Sequence, residues 1–253
     1  MQLAVNEVAI VPFIAPSRKA LGQQAAFDIA EELRSRLATR EGVRMIFAAA
    51  PSQGEMLECL VEAPGIDWTR VTAFHMDEYL GLPANAPQRF GTYLEKRLFN
   101  RVPFGHVHLI EPGNDPRETA ENYSVLLNEA PIDIVCCGIG SNCHLAFNDP
   151  PADFAEPLDV RIVALDQACR QQQVDDLCFE RVEQVPVEAI SLSIPRLLRA
   201  DRIFCCVPSL IKSVAVRETL EGAISTICPS SALRLHPACK LYLDTESATL
   251  LSR

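Results

Sequence analysis

The 253-residue sequence predicts an α/β fold in which a mainly parallel sheet carries helices on both faces. Short apolar runs alternate along the chain with amphipathic helical patterns, which is the order expected of βαβ units. The runs are mostly apolar rather than apolar only at every second residue, as in strands that are covered on both sides. No linker divides the chain, so we expect one domain over residues 1–253.

The elements of the first part follow from these two patterns. Residues 17–40 form a helix, because Leu21, Ala25, Ile29 and Leu33 recur near helical spacing and Ser17 can cap its start. The next apolar run is a buried strand that ends at Pro51. The same criteria predict helices over 54–65, 87–99 and 117–130, and strands over 43–51, 71–76 and 132–140.

The later part continues the alternation. A strand leads into the start of a helix over 188–200, a strand and a helix follow over 202–208 and 209–222, and residues 239–244 form the last strand. Four of the ten cysteines fall within the strand runs 132–140 and 202–208. We therefore expect reduced core thiols rather than disulfides, and without paired C-x-x-C spacing we expect no structural zinc site.

Composition narrows the partners. A net charge of −10 gives no general attraction for nucleic acid or anionic membranes, which favours a small-molecule ligand. No apolar stretch approaches the roughly 20 residues of a transmembrane helix, and the first residues do not resemble a signal peptide. We expect a cytoplasmic protein.

Polar residues follow three of the predicted strands, where ligands bind in parallel sheets. Asp77 and Glu78 are adjacent in an extended segment and should point to opposite sides, so that one faces a ligand and the other anchors a loop. A solvated turn is the alternative interpretation.

The segment GIGSNCHLAFNDP, residues 138–150, follows the third of these strands. Gly138 and Gly140 let the backbone approach a ligand, and His144 is suited to move a proton near neutral pH. Asp149 lies close enough in sequence to orient the imidazole, although a histidine and aspartate pair that only pins a loop would look the same.

Phosphate capture requires amides and cations. The PSQG segment after the first strand offers backbone N–H groups and the Ser52 hydroxyl, and Lys212 follows a later strand. An ordinary surface lysine is the alternative for Lys212.

The segments FHMDEYLGLP, GIGSNCHLAFNDP, QVPVEAISLSI, VPSLIKSVAV and STICPSSALRLHP together resemble the glucosamine-6-phosphate deaminase/isomerase family, from the first helix to the last strand. The resemblance implies a Rossmann-like fold and an enzyme that converts an amino-sugar 6-phosphate to a ketose 6-phosphate with release of ammonia. No cofactor or metal takes part, and assembly into a homo-oligomer remains open.

The resemblance also implies roles. Asp77 is the base that moves a proton between C2 and C1, His144 assists opening of the sugar ring, and Asp149 orients His144. Ser52, Gln53, Gly54 and Lys212 hold the phosphate, and Glu78, Gly138 and Gly140 contact the substrate.

Four departures from the family pattern bear on these roles. Asn142 stands where the deaminases carry an aspartate. Cys143 replaces a glycine, and a cysteine is strained where the backbone requires a positive φ. Glu55 brings a negative charge to the phosphate loop. The segment around 165–185, where the family has a mobile lid, places Asp175 or Asp176 near the position of a phosphate-binding arginine, for which Arg170 or Arg181 could substitute.

Two other functions remain open. A related 6-phosphogluconolactonase would use the histidine for ester hydrolysis but would have no need of an aspartate at position 77. A non-catalytic sugar-phosphate sensor would keep the pocket and lose the chemistry, consistent with Asn142, Glu55 and the missing arginine.

Overall fold

A computed structural model describes residues 7–252. Seven parallel strands form the main sheet in the order β1-β10-β9-β6-β2-β3-β5. Their bounds are β1 Phe13–Ala15, β2 Val43–Phe47, β3 Val71–His75, β5 His106–His108, β6 Ile134–Cys137, β9 Arg202–Val207 and β10 Cys239–Asp244. The α/β class and the parallel sheet predicted from the sequence are confirmed.

A second, small sheet is antiparallel and has the order β4-β8-β7. Its strands are β4 Asp77–Tyr79, β7 Val160–Ala164 and β8 Glu188–Leu192. The sequence analysis expected the strand at the start of 188–200 but not this sheet, and it did not predict β1, β4, β5 or β7. Three of those four have only three residues, which is too short for a periodic signal.

Seven α-helices accompany the strands in the described part of the chain. They are α1 Arg18–Leu37, α2 Gly54–Val61, α3 Phe90–Leu94, α4 Pro116–Asn128, α5 Gln167–Asp175, α6 Ile194–Leu198 and α7 Ser213–Glu221. Ser17 caps α1 as predicted, since its side chain accepts a hydrogen bond from the Ala20 N–H. The helix predicted over 87–99 begins at Phe90 and continues as a π-helical turn, and α5 was not predicted.

Helices cover both faces of the main sheet. Ile134 and Cys136 of β6 pack into one apolar core with α1 and α2, whereas Val135 and Cys137 pack into the other with α4 and α7. This division by alternate residues explains why apolar residues follow one another in the central strands. All ten cysteines are free, as predicted. Between residues 7 and 252 no helix is both long and apolar enough to cross a membrane.

Candidate functional site

A pocket lies at the carboxyl ends of β2, β3, β6 and β9. The three strand ends singled out in the sequence meet there, as the geometry of a parallel sheet requires. Its polar side chains come from these strand ends, from α1 and from α5: Arg18, Ser52, Asp77, His144, Gln172, Gln173, Asp176, Ser209 and Lys212. Backbone at Gly138 and Gly140 completes one wall.

Asp77 is the first residue of β4 and projects into this pocket, with 7% of its surface exposed. Pairing of Asp77 with Ser191 of β8 fixes its backbone. Burial raises the pKa of Asp77 well above its ordinary value, and the charge of Glu78 adds to the increase. A carboxylate with a raised pKa is a stronger base than an ordinary one, so this group is suited to accept a proton from a bound ligand.

Glu78 points away from the pocket. Its carboxylate accepts hydrogen bonds from the backbone N–H groups of Tyr79, Phe90 and Gly91 at 2.9, 3.1 and 2.9 Å. Two of these donors are the free N–H groups at the start of α3. The predicted substrate contact of Glu78 is therefore corrected: this side chain anchors the loop, and Asp77 alone of the two acids faces the pocket.

The loop after β6 turns tightly around His144. The Gly140 N–H donates to the His144 carbonyl at 2.9 Å, and a Cβ at Gly140 would lie 2.3 Å from the imidazole ring. Only glycine therefore fits at position 140. Cys143 has φ of 71°, in the left-handed region that favours glycine, so replacement of a glycine there is strained by about 1–2 kcal/mol.

His144 and Asp149 lie together, as the sequence predicts. The His144 Nδ1 atom is 3.3 Å from the Asp149 Oδ1 atom. Asn142 links them, since its Nδ2 donates to Asp149 Oδ1 at 3.0 Å and its Oδ1 accepts the His144 backbone N–H at 3.1 Å. Burial disfavours the Asp149 carboxylate, but these partners outweigh burial and lower the pKa of Asp149. Asn142 and Asp149 support His144 from behind rather than lining the pocket.

The loop after β2 offers Ser52 to the pocket from a short 3-10 turn, Pro51–Gln53. Gln53 is buried beneath it and donates to the Cys206 carbonyl at 3.1 Å, so it shapes the loop without lining the pocket. Gly54 faces an adjacent groove beside Tyr93 and also lies outside the pocket.

Lys212 follows β9 and lines the pocket with 5% of its surface exposed, which excludes the ordinary surface lysine. Burial lowers the pKa of Lys212, an effect that the charge of Asp176 opposes.

The sequence analysis missed Arg18, the first residue of α1. Its Nε donates to Glu55 Oε1 at 2.6 Å and its Nη2 to the Pro51 carbonyl, which places the guanidinium against the loop that carries Ser52. The ion pair offsets the charge of Glu55 that opposed phosphate binding. The acidic Glu55 in a loop predicted to bind phosphate was the one signal in the sequence that a cation lies nearby.

Arg170 does not reach the pocket. Its guanidinium donates to the Val182 and Val185 carbonyls at 2.7 and 3.0 Å, so it closes the loop that follows α5. The predicted phosphate contact of Arg170 is corrected on this ground, and Arg181 does not line the pocket either. Instead α5 contributes Gln172, whose Oε1 accepts the Ser141 N–H at 2.8 Å, and Asp176 follows α5 beside Lys212.

Comparison with known proteins agrees with this geometry. Residues 16–241 match the family described as glucosamine-6-phosphate isomerases/6-phosphogluconolactonase. The chain is 32% identical over 239 residues to a glucosamine-6-phosphate deaminase of Listeria welshimeri, covering 94% of this chain and 99% of that protein. It is 36% identical over 188 residues to the deaminase of Exiguobacterium sibiricum, covering 74% and 73% of the two chains.

Solved structures give the same result. A monomeric glucosamine-6-phosphate deaminase superposes with a TM-score of 0.87 at 25% identity, covering 96% of this chain and all of that one. A 6-phosphogluconolactonase from Shewanella baltica has the same fold, with a TM-score of 0.74 at 18% identity over 95% and 99% of the two chains. The chain therefore belongs to the glucosamine-6-phosphate isomerase/6-phosphogluconolactonase family.

Proposed function

We propose that this protein converts an amino-sugar 6-phosphate of the glucosamine 6-phosphate type to a ketose 6-phosphate with release of ammonia. The observation that carries the proposal is that Asp77 and His144 line one pocket that Lys212 and Ser52 also line. The deaminases named above are more similar in sequence to this chain than the lactonase is. A lactonase has no use for a buried carboxylate of raised pKa at position 77.

The residues divide the reaction between them. Ring opening requires a proton to move between the ring oxygen and the C1 hydroxyl, which His144 performs while Asp149 fixes its orientation. Asp77 then removes the C2 proton of the open-chain form and returns it at C1. This proton shift leaves an imine at C2, to which a water molecule adds; the C–N bond then breaks, ammonia leaves and the water oxygen becomes the ketone oxygen. Both groups act through proton transfer, so neither needs a metal or a redox cofactor.

The phosphate lies at the opposite end of the pocket in this proposal. Lys212 supplies a buried ammonium, Ser52 a hydroxyl, and Arg18 a guanidinium at the loop after β2. Anchoring a remote phosphate orients the reacting carbons, and orientation of this kind contributes up to about 7–11 kcal/mol to a rate. The segment 165–185 covers one wall through Gln172, Gln173 and Asp176, which supports its proposed role as a lid.

The test is an assay of the purified protein with glucosamine 6-phosphate, measuring ammonia and ketose 6-phosphate together. A parallel assay with 6-phosphogluconolactone tests the hydrolase. Equal amounts of the two deaminase products, lost in Asp77→Asn, support the proposal. Hydrolysis of the lactone alone would assign the chain to the other activity of the family, and binding without turnover of either substrate would make it a sensor.

A further inference from the structure

A third chemical group lies against the pair formed by His144 and Asp149. Cys169, in the first turns of α5, places its sulfur so that one donor atom each of His144, Asp149 and Cys169 lies within 4.8 Å of the other two. All three residues are largely buried, and Cys169 is fully so. The role of His144 in ring opening has no use for a thiol at this position.

The imidazole nitrogen on this side faces the carboxylate and the thiol. His144 Nδ1 is buried and lies 3.3 Å from Asp149 Oδ1, a charge-paired contact that falls short of full hydrogen-bond geometry. A metal ion can replace this weak contact, because the nitrogen and the carboxylate oxygen already point at a common space. Nitrogen, oxygen and sulfur donors together are the mixed set that zinc accepts.

The distances suit a tetrahedral ion. Zinc binds nitrogen and oxygen at about 2.0–2.2 Å and sulfur at about 2.3 Å, so donors in one tetrahedron lie about 3.5 Å apart. The 3.3 Å between His144 Nδ1 and Asp149 Oδ1 already meets this spacing. Closing the sulfur from at most 4.8 Å requires a shift on the order of 1 Å.

The hydrogen bonds around the three groups hold them in register. Asn142 donates to Asp149 Oδ1, and the Asp166 N–H donates to Asp149 Oδ2 at 3.2 Å. Asp166 in turn caps α5, because its Oδ1 accepts the Cys169 N–H at 2.6 Å. The carboxylate and the thiol are thus connected through one capping residue, an arrangement like the outer shell of metal sites.

We propose that His144, Asp149 and Cys169 form a binding site for Zn²⁺ or a similar thiophilic divalent cation, and that binding there inhibits the enzyme. The bonds formed are from the metal to the histidine nitrogen, the carboxylate oxygen and the sulfur. The S–H bond of Cys169 breaks, and its proton passes to solvent. Inhibition rests on the proposed function, because it follows from withdrawing His144 from ring opening. Binding of the metal does not rest on the proposed function.

The test uses Co²⁺ as a spectroscopic substitute for Zn²⁺ on the full chain. A thiolate bound to Co²⁺ gives a charge-transfer absorption that histidine and carboxylate alone do not. Cys169→Ser is compared with Cys178→Ser, a matched control at the partly buried thiol beyond the end of α5. The absorption is expected in the wild type and in Cys178→Ser, and it should be lost in Cys169→Ser. The affinity of Cys169→Ser for Co²⁺ should be lower by at least about 100-fold, since loss of a residue that only supports a metal ligand already costs about 10- to 100-fold.

Persistence of the absorption in Cys169→Ser, or no absorption with excess Co²⁺ at alkaline pH, would overturn the site. A second arm measures turnover with and without Zn²⁺. Zinc should inhibit the wild type and Cys178→Ser, a chelator should restore them, and Cys169→Ser should keep its activity in zinc. Because Co²⁺ binding is read without turnover, a protein that binds the ion but has no deaminase activity would refute the proposed function and leave the metal site standing.

Discussion

The clearest test of the reasoning about Asp77 is its replacement by asparagine. The substitution keeps the size of the side chain and removes the proton acceptor. Loss of a general base costs about 10²–10⁴-fold in rate, equivalent to about 3–5 kcal/mol at 1.36 kcal/mol for each factor of ten. Steady-state kinetics should show this loss in kcat while substrate binding, measured by calorimetry, stays near the wild-type value.

The same substitution should make the protein more stable at neutral pH. Burial raises the pKa of Asp77 in the folded state above its unfolded value of about 3.9, so the folded protein binds more protons between those two pKa values. The wild type therefore loses stability as pH increases through that interval, by up to about 1.4 kcal/mol per unit of pH. Asp77→Asn has no such loss, and the two curves should meet near pH 4.

Urea denaturation of both proteins across this pH range measures the effect. Glu78→Gln is the matched control, because the neighbouring acid holds three backbone N–H groups. That variant should be destabilised by about 1–3 kcal/mol, since an amide cannot satisfy all three donors. A stability difference between wild type and Asp77→Asn that is independent of pH, or a less stable Asp77→Asn at neutral pH, would refute the account of Asp77.

Three further predictions concern Arg18, Asn142 and Lys212. Arg18→Gln should raise KM for a phosphorylated substrate about tenfold or more with kcat little changed, because a charge-assisted hydrogen bond contributes about 1.5–3 kcal/mol. Glu55→Gln should not raise KM. A loss in kcat as large as the increase in KM for Arg18→Gln would contradict this role of Arg18. Asn142→Asp should lower the melting temperature at pH 7 by bringing a second carboxylate to Asp149 in place of a donated hydrogen bond, so an unchanged melting temperature would count against the arrangement. Binding of inorganic phosphate, measured by calorimetric titration, should weaken as pH increases through the lowered pKa of Lys212, which is a lower pH than for an ordinary lysine. Lys212→Arg should retain phosphate binding at that pH, because the guanidinium keeps its charge.

The central strands could be predicted because consecutive apolar residues indicate that both faces of the strand are buried. Strands β2, β3, β6, β9 and β10 are rich in consecutive apolar residues, since both faces of the main sheet are covered. Strand β8 has the same signal, yet it pairs with β4 and β7 in the small antiparallel sheet. Which strands pair is decided by contacts between distant segments, and no local pattern in the sequence contains that information.

The site shows the same division. Alternation along an extended segment predicted that Asp77 and Glu78 point to opposite sides, but pairing with β8 decides which of them faces the pocket. His144 and Asp149 could be predicted as a pair because they share one loop. Arg18 could not, because its partner Glu55 is 37 residues away and the contact depends on how α1 packs against α2.

The small sheet also connects the position of Asp77 with the segment 165–185. Asp77 begins β4 directly beyond the end of β3, so this edge is held by both sheets. The segment 165–185 leaves β7, at the opposite edge, and leads into the central strand β8. A displacement of α5 can therefore reach Asp77 through β8 across the single ladder between β8 and β4, or through β7 across two ladders. The backbone of Asp77 is thus joined to the segment beside the pocket through one ladder of hydrogen bonds, so the positions of the two are mechanically coupled.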